Sequence, residues 1–180
     1  MQKGLASLFT NVDGPSVALF RLFFGLIMLY EVVIYFVEDR ITRYYINPDL
    51  HFHYLGFHWV QPLSESGLHI HFALLGILAF FIAVGLFYRV SAILFFLGFT
   101  YVFLLEQAQY QNHFYLICLL SFLLIVVPAH NALSLDRVLW RRGVPPRVPQ
   151  WSLFLLRFQI AIPFFYGGLA KINADWLRGF

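Results

Sequence analysis

The stretch SLFLLRFQIAIPFFYGGLAKINADW, residues 152–176, carries both the architecture and the first chemical candidate of this chain. Its portion 152–170 is apolar apart from a few polar positions, and it has the length of a membrane crossing, for which a helix needs about 20 predominantly apolar residues. It closes on two glycines and a lysine, with an aspartate and a tryptophan just beyond. Ionisable groups in hydrocarbon are costly, so Lys171 is a functional candidate by default.

The rest of the chain repeats the pattern. Apolar stretches at 17–37, 70–88, 90–105 and 114–129 join 152–170, and a content of 61% hydrophobic and 20% aromatic residues excludes an ordinary soluble domain. The expected fold is all-α: a polytopic membrane helix bundle of about five transmembrane helices. The first run follows a helix-start signal, Asp13, Gly14, Pro15 and Ser16, and no small-residue cleavage site follows it, so it is a span and not a signal peptide. A net charge of +3 without a basic stripe interleaved with aromatics leaves nucleic acid out as a partner. The single cysteine, Cys118, excludes an internal disulfide.

Five spans put the N-terminus, the turn at Arg89 and the loop 130–151 on one side. That side carries Lys3, Arg89, Arg137, Arg141, Arg142 and Arg147, against Arg40, Arg43, Lys171 and Arg178 opposite, which predicts a cytoplasmic N-terminus. Within 130–151, Ser134 is positioned to cap a short interfacial helix with Leu135, Val138 and Leu139 on its apolar face. The same topology brings QNHFYL (111–116) and GGLAKINADW (167–176) to the extracytoplasmic face, where His113 and Lys171 are expected to share a pocket covered by the 38–69 loop. That loop bears Tyr44, Tyr45, His51, His53, His58 and Trp59.

Helical side chains lean toward the helix N-terminus, so Lys171 is expected to point back over the turn where Gly167 and Gly168 leave space. Desolvation there would favour the neutral amine, which can serve as a general base. Asn112 is a plausible cap at the start of the fourth span. The open N–H groups of a helix start favour an anion, so a neutral His113 and the Asn112 amide are suited to hydrogen-bond a developing oxyanion. Taken singly, Lys171 also fits an interfacial anchor, and Asn112 with His113 an ordinary polar helix start. Arg21 and Arg157 lie one turn inside spans that begin in the cytoplasm and are expected to snorkel. Glu31, deeper in the outer half, is expected to pair with a polar partner, with a proton-relay role as the alternative. The pairs His51/His53 and His69/His71 have a spacing that shares a face only in a strand, with no accompanying carboxylate or cysteine pattern, so no metal site is expected.

On LFRLFFGLIMLYE (19–31), GLFYRVSAILFFLGFTYVFLLE (85–106), QNHFYL and GGLAKINADWLRG (167–179), the chain resembles the vitamin K-dependent gamma-glutamyl carboxylase family and its wider group of horizontally transferred transmembrane domains. The resemblance spans nearly all of the chain, and the last two motifs are quite specific. It implies a vitamin K-dependent gamma-glutamyl carboxylase-like enzyme, an integral membrane protein that couples epoxidation of vitamin K hydroquinone to carboxylation of a peptide glutamate, with O2 and CO2 as co-substrates. In that family the lysine, here Lys171, deprotonates the hydroquinone. The anion reacts with oxygen to give a strong base that removes a γ proton, and carbon dioxide adds to the carbanion. Asn112 and His113 match residues of the quinone site. Tyr110 stands at its rim where the family usually has tryptophan, and Glu106 where it usually has aspartate. The family continues past the lysine motif with further helices and a β-rich extramembrane region that recognises the substrate peptide. Residues 1–180 are therefore expected to correspond to its N-terminal transmembrane domain without those later parts. The expected partners are membrane lipid, quinone and a glutamate-containing peptide. The alternative is a non-catalytic membrane domain that binds a quinone or lipid, or scaffolds a partner.

Overall fold

The computed structural model describes residues 7–48, 50–140, 143, 145–172, 176 and 179. Helices α1 (Pro15–Val37), α2 (Glu65–Val84), α3 (Tyr88–Leu105), α4 (Asn112–Val126), α5 (Leu135–Trp140) and α6 (Gln150–Ala170) form a bundle. Strands β1 (Asn11–Asp13) and β2 (Arg147–Pro149) pair antiparallel at one end of it. Helices α1, α2, α3 and α6 have the length and apolar character of membrane spans. The fifth expected span is shorter. Helix α4 has 15 residues, starting earlier than 114 and stopping at Val126. Pro128 forces this stop, because the residue before a proline is driven to extended backbone, and Val127 sits at φ −68°, ψ 129°. The ribbon was not expected from the sequence, since three-residue strands separated by the whole bundle leave no local period to read.

The short connections 85–87 and 106–111 make α2, α3 and α4 successively antiparallel. Helix α2 ends on Gly85 at φ 68°, the left-handed conformation glycine adopts without penalty, and the Leu86 N–H returns to the Phe81 carbonyl at 2.9 Å. Along the α1–α2 seam Gly25 lies so close to the backbone of Ala79 and Ala83 that a Cβ would collide with it. Small residues thus set the helix spacing, as at membrane helix crossings generally. Around the seam pack Phe24, Met28, Leu75, Ile82 and Phe95, and Tyr35 stacks on Phe72 with ring centroids 4.9 Å apart.

The ribbon end is pinned by polar groups. Arg21 does not snorkel. It is 1% exposed, and its guanidinium donates to the carbonyls of Ala129 (3.2 Å), Ala83 (3.3 Å) and Leu133 (2.5 Å). One cation thereby ties α1, the end of α2 and the 129–133 turn together, and the apolar packing around it closes off the route to solvent that snorkelling requires. Asp136 accepts from the N–H groups of Phe87 (2.7 Å) and Tyr88 (2.9 Å), capping α3 from across the chain. Ser134 caps α5 as expected, accepting from the Arg137 N–H at 3.1 Å, with Leu135, Val138, Leu139 and Trp140 exposed beside it. Arg157 is exposed on α6.

The basic residues divide as the topology expects, with Arg89, Arg137 and Arg147 at the ribbon end and Arg40, Arg43 and Lys171 at the other. Lys3, Arg141, Arg142 and Arg178 lie outside the described residues. Helix α6 packs through Ser152 and Leu156. From Pro163 through Ile172 every residue of this segment is exposed.

Candidate functional site

Helix α3 runs away from the ribbon, so α4 starts at the opposite end of the bundle, where α6 also finishes. The two motifs singled out in the sequence therefore meet one end of the molecule. Asn112 is the first residue of α4 and is exposed; the residue before it, Gln111, makes no side-chain cap, so Asn112 does not serve as the cap expected of it. His113 is exposed too, its ring edge-on to Phe114 at 4.8 Å. Tyr110 is exposed and meets Phe103 in a T-shaped contact at 6.0 Å.

Lys171 forms the C-cap of α6, its N–H bonded to the Gly168 carbonyl at 3.1 Å. Its ammonium lies 4.9 Å over the Trp176 ring, a cation–π contact. The side chain thus turns forward to Trp176 instead of back over Gly167 and Gly168, and it is exposed. The favourable face of the indole and the helix C-terminal dipole both draw the charged amine that way. No hydrogen bond among the described residues joins Lys171 to His113 or Asn112. Below the lysine, α6 carries an apolar groove of about 420 Å³ lined by Phe158, Ala161, Ile162, Phe165 and Tyr166.

The connection from α1 to α2 packs on this end against Tyr101 and Glu106, but it leaves Asn112, His113 and Lys171 exposed and so does not cover them as expected. It begins with a π-helical turn, Thr42–Ile46, that buries Tyr45 against Tyr35 and Phe72. It is then held at two points. At the first, Glu106, only 4% exposed, accepts from the Phe52 N–H (3.1 Å) and the Ala108 N–H (3.0 Å). The same carboxylate meets His51 Nδ1 at 3.0 Å, and the Gln107 N–H returns to the Phe52 carbonyl at 2.7 Å. At the second, the Tyr101 hydroxyl donates to the Gln61 carbonyl (2.9 Å) and accepts from the Leu63 N–H (3.2 Å).

Four of the histidines each have a polar partner of their own. His51 has the carboxylate partner that its neighbours in sequence do not supply, 55 residues away. His71 meets the Gly98 carbonyl at 3.0 Å, His69 the Glu65 carbonyl at 2.8 Å, and His53 the Gln61 amide at 3.3 Å. Among the described residues no three histidine, cysteine, aspartate or glutamate side chains come together to hold a metal ion. Glu31 has the polar partner expected for it, Arg40 at 3.5 Å. The Glu106–His51 pair was not foreseen. The one trace of it in the sequence is a carboxylate set directly at the end of an apolar run with no nearby cation.

A family model, the HTTM domain, matches residues 9–180. The chain belongs to the HTTM domain family. This is the N-terminal membrane domain of the vitamin K-dependent gamma-glutamyl carboxylase family, and its apolar helices make the chain an integral membrane protein. No solved structure matches the chain. In this HTTM domain the match takes in both polar motifs, the covering loop and the Glu106 latch.

Proposed function

We propose that this HTTM domain is the membrane part of a vitamin K-dependent gamma-glutamyl carboxylase-like enzyme, with its active-site end on the extracytoplasmic side. The observation that supports the reading is the convergence of the Asn112–His113 helix start and the Lys171 helix end on one end of the bundle, the end where the α1–α2 connection is latched to Glu106. The concentration of basic residues at the ribbon end supports the orientation.

In this reading Lys171 is the general base that accepts a hydroquinone O–H proton at Nζ. The Asn112 amide and the neutral His113 ring donate to the oxygen left behind. Tyr110 lines the rim, and the aromatic groove on α6 offers a wall for a flat ring. Bound reduced naphthoquinone, with O2, supplies a base strength that no side chain has, so that a glutamate γ proton can be removed and CO2 added. For Lys171 to work this way its amine must leave the Trp176 face and lose its proton. Exclusion of water on ligand binding favours that step, because burial disfavours the charged amine.

Hydroquinone epoxidation by Lys171 variants tests the assignment. Lys171→Ala should lose about 10²–10⁴-fold in rate with insertion intact, the range typical of a lost general base. Lys171→Arg should fail equally, since a guanidinium stays protonated. A small added amine should restore Lys171→Ala but not His113→Ala. Parental turnover by Lys171→Arg would make Lys171 an interfacial anchor and favour the non-catalytic alternative, a membrane domain that binds a quinone or lipid or scaffolds a partner.

A further inference from the structure

Tyr54 lies on the cover, and its ring stacks on Phe103 with centroids 5.2 Å apart at 27°. Its hydroxyl is buried, yet it has no hydrogen-bond partner among the described residues. Tyr54 as a whole is half-buried, and the fully buried Tyr88 behaves differently, donating to the Leu124 carbonyl at 2.5 Å. Phenylalanine at position 54 would give the same stacking without a polar atom to desolvate, so the orphan hydroxyl calls for a partner that arrives from elsewhere.

The surroundings indicate what that partner is. Phe103 carries Tyr54 on one side and meets Tyr110 at 6.0 Å and Tyr115 at 6.3 Å, an aromatic shelf beside Asn112 and His113. Burial raises the Tyr54 pKa, with Tyr110, Cys118 and Glu106 adding to the effect, so the phenol keeps its proton and remains a donor. The latch at His51 and Phe52 places the residue: Tyr54 follows Phe52 by two positions, so holding that segment on Glu106 holds the hydroxyl on the shelf.

We propose that Tyr54 is a ligand-binding residue, donating its hydroxyl to an oxygen of a planar aromatic ring that packs beside the Tyr54–Phe103 stack, at the edge of the shelf formed with Tyr110. This rests on the quinone reading above and adds a contact from the covering loop to it. The ring stacks on the aromatic faces, and the donor selects a ring that bears a carbonyl or phenolate oxygen over a plain hydrocarbon.

The test is binding of menadione, a 2-methyl-1,4-naphthoquinone, to the full chain in detergent micelles, read by tryptophan quenching and by calorimetry. Tyr54→Phe should weaken binding about threefold to tenfold, the loss of one neutral hydrogen bond. Its thermal midpoint without ligand should be equal to or above the parent's, because the hydroxyl has no partner to lose. 2-Methylnaphthalene, which has the ring without the oxygens, should bind parent and variant alike. Equal menadione affinity in parent and Tyr54→Phe would overturn the proposal and leave the quinone reading standing. A parent chain that binds no menadione would overturn both.

Discussion

Replacing Glu106 by alanine should release the covering loop while leaving the bundle folded. Three donors converge on this carboxylate: the Phe52 N–H at 3.1 Å, the Ala108 N–H at 3.0 Å and the His51 ring at 3.0 Å. Hydrogen bonds to a charged group contribute about 1.5–3 kcal/mol each. They share one acceptor and are not additive, and removing Glu106 also relieves the cost of burying its charge. Removing one member of a buried pair typically costs about 3–5 kcal/mol, and that is the expected net effect. At about 1.4 kcal/mol per tenfold, amide exchange at Phe52 and Gln107 should speed up by roughly two to three and a half orders of magnitude. The second anchor is independent of Glu106, so protection at Leu63, whose N–H bonds Tyr101, should be retained. Glu106→Gln should fall between, since its amide oxygen still accepts from backbone while its NH₂ meets the histidine nitrogen. Hydrogen–deuterium exchange by mass spectrometry in micelles reads each segment. Unchanged exchange across 50–55 in Glu106→Ala would refute the latch.

Arg21→Leu should lower stability by about 3–5 kcal/mol, because the carbonyls of Ala83, Ala129 and Leu133 lose their shared donor, and should do so without altering exchange in the covering loop; thermal unfolding in micelles measures it, and parental stability would show that the guanidinium contributes nothing. In a Cys118→Ser background, Trp59→Cys in the cover and Trp140→Cys on α5, both exposed positions, should be labelled from opposite sides by an impermeant maleimide. Labelling of both from one side would overturn the topology.

The bundle was legible because its cause is local. Runs of apolar residues must satisfy their backbone internally once in lipid, and only a helix does so within a single segment. Two helix starts followed from the same level, Pro15 for α1 and Ser134 for α5, whereas Gly85 and Pro128 stop α2 and α4 inside the apolar stretches 70–88 and 114–129. Chain order alone then brought Asn112, His113 and Lys171 to one end of the molecule, since alternate spans must reverse.

What the tertiary structure decided is which polar groups meet. Arg21 reads as a snorkelling residue because its sequence neighbours are those of a helix start. The carbonyls that bury it come from residues 62, 108 and 112 positions away. Glu106 finds His51, and Asp136 caps a helix that begins 48 residues earlier, across connections whose length carries no record of the pairing. The direction of Lys171 belongs to this class too. Side-chain lean along a helix pointed it back over Gly167 and Gly168, but at a helix end the residues that follow compete, and the indole of Trp176 offers the cation a better face than open space does. Desolvation and hydrogen-bond satisfaction are properties of three-dimensional neighbourhoods. Sequence spacing therefore singled out candidate residues, and only the packed chain showed which of them are held, which are exposed, and which buried hydroxyls, Tyr54's among them, lack a partner within the described residues.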